Sequence, residues 1–218
     1  MDLASNSLTR LVAARLKYLR LSEGDILGQF KRDGMYYNKD NINVFAGRFA
    51  ETYMHAALKQ ACEDLTEKVR FYPIVRPRQT ANYFFWLKQN VINVYTTSNR
   101  LQCCELDDLL LIDNLPVVFE ATVAKWNGEH GGGCNASKRH CRAIHKFAPK
   151  LLDARIKPVQ EYFNSSCGYV IIALPDQIRM NSPYFQNFIG QGGLFVPFPF
   201  TYDEFRKKAE LFKKNHDL

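Results

Sequence analysis

The stretch from Leu101 to Ala124 constrains the fold more than any other part of the chain. Two strand-like segments, residues 101–112 and 116–124, flank the pair Asp113-Asn114. Asx residues tolerate the left-handed backbone that a two-residue turn needs, so the segments read as a tight antiparallel hairpin. Glu105, Asp107, Asp113 and Glu120 lie in or beside these apolar strands. A carboxylate in such a setting costs free energy unless it is paired or binds a cation. Alternation places Glu105 and Asp107 on one face and Asp108 on the other, while Glu120 and Thr122 share a face opposite Phe119, Ala121 and Val123. In register, Asp107 and Glu120 converge across the hairpin, and a one-residue shift would substitute Asp108. Two carboxylates held that close repel each other, and an oxygen-seeking divalent cation relieves the repulsion.

The rest of the chain supplies helices for both sides of such a sheet. Leu8, Leu11, Val12, Leu16 and Leu19 give residues 5–20 a helical period, and a loop-rich stretch punctuated by Gly24 and Gly34 follows. Residues 43–62 form a second helix with Phe45, Phe49, Tyr53, Ala56 and Ala57 on its apolar face. Glu51 and His55, four residues apart, share one side of it. Pro73 and Pro77 break the pattern, and residues 91–97 read as a strand. After the hairpin come a glycine-rich loop at 127–133, a basic helix around 136–148, a helix near 150–163, a buried strand at 168–174 and a terminal helix at 202–215. The run 193–200 reads as an extended segment on the domain surface. This order predicts one α/β domain with a mixed central sheet flanked by helices.

The pieces GRFAETYMHAAL with Glu51, CELDDLLLID with Asp107 and VVFEATVAK with Glu120, followed by a basic helix, resemble the PD-(D/E)XK nuclease superfamily. The resemblance covers residues 43–174 as an order of elements, with helical extensions at either end. Within the superfamily it is nearest the archaeal Holliday-junction resolvases and RecB-like nucleases, or the viral cap-snatching endonucleases. It implies a restriction-endonuclease-like fold and hydrolysis of DNA or RNA phosphodiester bonds with Mg²⁺ or Mn²⁺. Asp107, Glu120 and the carbonyl of Ala121 would hold the metal, with Glu51 on a second metal or its water. His55 is either a further metal ligand, as in the histidine-containing viral branch, or a histidine satisfied at a helix–sheet boundary. The family lysine is expected two residues after Glu120, where this chain has Thr122. Lys125 and Lys138 are equal candidates to replace it. If no lysine serves, the chain is a nuclease fold that binds nucleic acid without cutting it.

Charge agrees with a polyanionic partner: the formal net charge is +7. Residues 125–157 carry eight basic side chains against Glu129 and Asp153, and Lys138, Arg139, Arg142 and Lys146 are the expected phosphate contacts. Four aromatics in a row, Tyr83 to Trp86, read as core or strand before they read as a base-stacking platform. His130, Cys134, His140, Cys141 and His145 cluster without a common zinc spacing. No apolar run is long enough for a membrane span and the N-terminus lacks a secretory layout, so the six cysteines are expected reduced in a cytoplasmic setting. Resolvase-like relatives imply a homodimer.

Overall fold

The computed structural model describes residues 7–33, 42–65, 67–72, 78–88, 91–123, 149–178 and 180–216. Its centre is a five-stranded mixed sheet. The strands are β1 (Val69–Phe71), β6 (Asp108–Ile112), β7 (Leu115–Thr122), β8 (Gly168–Ala173) and β9 (Leu194–Pro197), in that spatial order. The first three run antiparallel, and β8 and β9 continue parallel to β7. Every residue of β7 and β8 is buried, the pattern of strands covered on both faces. A second, four-stranded antiparallel sheet holds β2 (Arg78–Gln79), β3 (Tyr83–Lys88), β4 (Val91–Thr96) and β5 (Gln102–Leu106) in sequence order. The fold is therefore α/β with a mixed central sheet, as expected, with the antiparallel sheet as an addition.

One face of the central sheet is covered by α1 (Ser7–Tyr18), α2 (Glu23–Asp33) and α3 (Ile42–Ala61), together with the last described helix, Tyr202–Asn215. Phe30, Phe45, Phe49, Phe205 and Phe212 interlock there, with neighbouring ring centroids such as Phe30–Phe212 at 5.2 Å. Each such ring contributes about 1.5–3 kcal/mol when fully buried. The other face is covered by α4 (Pro149–Phe163), α5 (Pro183–Gly190) and the inner side of the four-stranded sheet, through Phe85, Val94, Leu106, Leu152, Val159 and Phe188. The terminal helix, α6, begins with a reciprocal cap between Thr201 and Glu204.

Three expectations need correction. Residues 101–112 are two strands in two sheets, parted at Asp107, because there the side chain rather than the backbone takes the next hydrogen bond of the hairpin. The stretch after α1 is helical. Ser22 Oγ accepts from the Asp25 amide, and Asp25 accepts from the Ser22 amide, so a reciprocal cap offsets the cost of Gly24 and Gly28. The run at 193–200 enters the sheet as β9, with Val196 and Phe198 buried. Its prolines are tolerated because β9 is an edge strand. Entry into β9 needs glycine twice: Gly192 has φ 82°, and a Cβ on Gly193 would lie 2.3 Å from the Phe188 ring.

Candidate active site

The hairpin turn is built as its sequence demands, with φ of 49° at Asp113 and 64° at Asn114. A two-residue loop makes Ile112 and Leu115 a hydrogen-bonded pair, so Leu115, Val117, Phe119 and Ala121 aim their amides and carbonyls at the β6 edge. Pro116, which has no N–H, falls between these bonds. The ladder closes at Asp108 opposite Phe119, which leaves Asp107 opposite Glu120. Asp107 Oδ2 accepts the Ala121 N–H at 2.8 Å. A strand residue presents N–H and C=O to the same edge, so the Ala121 carbonyl also faces Asp107. Asp107, Glu120 and Ala121 thus lie together where β6 leaves β5.

Glu120 is 0% exposed and pairs with Arg155 of α4, Nε to Oε1 3.1 Å. Burial pulls the Arg155 guanidinium down, but the charge of Glu120, and then Tyr169, Cys104 and Asp107, more than offset this and hold it above its ordinary value. Tyr169 lies against the pair, and its hydroxyl is pushed well up, first by burial and next by Glu120. On the other side of Asp107, Arg48 of α3 donates to Glu51 at 2.5 Å. Burial lowers Arg48, and Glu51, Glu105 and Asp107 together raise it. Asp107 therefore sits in the fields of two arginines.

His55 and Asp108 form a separate pair. Asp108 points from β6 to the α3 side, 5% exposed, with His55 Nδ1 2.6 Å from its Oδ1. The His55 ring packs 5.3 Å from Phe71. Of the two readings of His55, this placement is the satisfied histidine at a helix–sheet boundary. Among the described residues no three His, Cys, Asp or Glu side chains gather in a metal-holding group. Glu51, kept by Arg48, and His55, kept by Asp108, therefore do not join Asp107 and Glu120 as a four-residue ligand set. A cation at the fork would rest on Asp107, Glu120 and the Ala121 carbonyl, a donor set of hard oxygens that suits Mg²⁺ or Mn²⁺.

Lys125, Lys138, Arg139, Arg142 and Lys146, and the cluster from His130 to His145, lie outside the described residues. Within the described part of the basic stretch, Arg155 turns inward to Glu120, and Lys157 pairs with Asp153 at 2.9 Å. Of these three, Lys150 and Lys157 stay on the surface. Arg155 is the residue that sequence reasoning missed at the site. Burial pushes the thiols of Cys62 and Cys167 up to about 12, and Cys103 and Cys104 upward too, so these free cysteines are poor nucleophiles. No helix among the described residues is long and apolar enough to cross a membrane.

No protein family, curated protein or solved structure matches the chain.

Proposed function

We propose that the chain is a metal-dependent nuclease of PD-(D/E)XK type that hydrolyses DNA or RNA phosphodiester bonds. The observation that carries this reading is the Asp107–Ala121 hydrogen bond, which holds one carboxylate beside Glu120 and beside a carbonyl aimed at the same point. A divalent cation on these oxygens would polarise the scissile phosphate and make an attacking water more acidic. Arg155 fixes the Glu120 carboxylate through a charge that persists at every working pH. Arg48 does the same for Glu51, at the entrance from α3. The charge that develops in the transition state needs a mobile cation, and Lys125 and Lys138 keep that assignment.

The test is cleavage of labelled single-stranded, duplex and branched DNA and of RNA with Mg²⁺ or Mn²⁺. Wild type is compared with Asp107→Asn and Glu120→Gln. Cutting that needs metal and both carboxylates is the expected result, with losses of about a hundredfold or more in each variant. Metal-independent cutting, or cutting indifferent to both variants, refutes it.

One observation favours a second reading. Glu120 has no solvent exposure and already has a cation in Arg155, the arrangement of a structural ion pair. If no substrate is cut while salt-sensitive binding persists, the chain is a nuclease fold that binds without cleaving.

A further inference from the structure

The four-stranded sheet has one face in the core and one facing out, and its register fixes what the outer face displays. Phe85, Ile92, Val94, Cys104 and Leu106 are buried against α4 and the central sheet. Alternation then turns Phe84 and Trp86 outward. Phe84 stands opposite Gln79 and Tyr95, and Tyr95 opposite Gln102, which makes one row across the sheet. Trp86 opposite Asn93, and Asn93 opposite Glu105, make the next. Gln102 Nε2 donates to Asn93 Oδ1 at 3.0 Å and to Glu105 Oε1 at 2.9 Å, which binds the two rows together. The Phe84 and Tyr95 rings lie 6.4 Å apart and Trp86 is 48% exposed. Exposed Arg100 and Leu101 close one end of the grid, in the turn between β4 and β5. At the other end Glu105 leads within two residues, about 7 Å of strand, to Asp107.

We propose that this outer face binds single-stranded nucleic acid, with bases stacked on Trp86, Phe84 and Tyr95 and the strand running toward Asp107. Asn93 is itself buried, so the surface is exposed Trp86 and half-buried Phe84 and Tyr95 beside the amides of Gln79 and Gln102, which suits unpaired bases with a π-face and polar edges together. A duplex hides those faces. Exposed Arg100 at one end of the grid offers a phosphate contact, and the formal charge of +7 over the whole chain favours a polyanion. The face is also continuous with the candidate active site along β5, where Glu105 lies two residues before Asp107. The proposal extends the nuclease reading by naming its substrate class, and it rests on that reading only for the direction of the strand.

Fluorescence anisotropy of labelled oligo-dT, oligo-rU and a hairpin duplex, in EDTA so that nothing is cut, tests it. Single strands are expected to bind more tightly than the duplex. Trp86→Ala should weaken single-strand binding about five- to a hundredfold, while Trp86→Phe, which keeps a ring, restores most of it. Tyr95→Leu and Phe84→Leu keep apolar bulk and remove the ring, so weaker binding in those variants, with unchanged circular dichroism, reflects stacking and not folding. The dT and rU arms show whether DNA or RNA is preferred. A change below about twofold in Trp86→Ala, or a preference for duplex that ignores all three rings, overturns the proposal. Loss of cleavage with binding intact touches the nuclease reading alone.

Discussion

Two acids one residue out of step on the same hairpin end up on opposite faces of the sheet, and each meets a different kind of partner. Glu120 is pinned by Arg155 of α4, whereas Asp108 is pinned by His55 of α3. Both carboxylates are buried, so each needs its partner. The partners differ in permanence. A guanidinium keeps its charge at any pH a protein survives, while an imidazole is neutral or charged according to conditions. The Arg155 side is a fixed electrostatic anchor at the candidate active site. The His55 side is a hydrogen bond that ties α3 to the sheet.

Removing the permanent partner should have the largest effect. Arg155→Met leaves the enclosed Glu120 carboxyl without its ion-pair partner, and is expected to cost about 3–5 kcal/mol in urea unfolding. The double variant Glu120→Gln with Arg155→Met should recover most of it. His55→Leu, tested alongside, should cost about 1–3 kcal/mol, since it removes one hydrogen bond from the buried Asp108 carboxylate. If the two single variants cost the same, the contrast between the faces fails.

Asp107 lies between the two cases, because its carboxylate has one oxygen on a backbone amide while both Arg48 and Arg155 feel its charge. Asp107→Ala removes the acceptor and should cost about 1–2 kcal/mol by leaving the Ala121 N–H without it. Asp107→Asn keeps an oxygen acceptor and should unfold nearly as wild type does. The two variants then separate architecture from chemistry: both should fail in the cleavage assay, and only Asp107→Ala should also lose stability. Cleavage that survives in Asp107→Asn would show that the carboxylate is there only to hold the fork.

The hairpin was legible because its signals are local: a turn pair able to take positive φ and strands with a period of two. The fork at Asp107 was not, because a side chain that replaces a backbone bond leaves no mark on periodicity. The helix Glu23–Asp33 was hidden by two glycines, and the cue that could have found it was Ser22-x-x-Asp25 ahead of Ile26 and Phe30, both buried at i and i+4. Arg155 is one of the eight basic side chains of residues 125–157, which net charge alone assigns to a polyanionic partner. It sits, however, at the centre of the apolar stripe Leu152, Ile156, Val159, at the i+3 position where a helix faces its core. A lone arginine in such a stripe requires a buried acid opposite it, and Glu120 was the acid available. β9 was missed because Pro197 and Pro199 argue against an interior strand and say nothing against an edge.

The smallest expected effect concerns the other end of α4. Six residues beyond Arg155, Glu161 accepts the Asn82 amide and the Asn82 side chain, each at 2.8 Å, at the turn that leads into β3. One helix is thus tied to the central sheet by a cation and to the four-stranded sheet by an anion. Hydrogen bonds from Thr80, then from the Asn82 side chain and backbone, hold the Glu161 carboxyl below its ordinary value. A group whose folded pKa is depressed contributes stability that is present above its unfolded pKa, about 4.3 for glutamate, and is lost as pH falls through the folded value. The urea midpoint of wild type should therefore exceed that of Glu161→Gln at neutral pH, and the gap should close as pH drops below about 4. The gap will be small because the site is exposed and screened by solvent. A gap that is constant with pH would mean that the link to the aromatic sheet is geometric and carries no charge. In that case Arg155 alone would make α4 an electrostatic strut, and only on the side of the candidate active site.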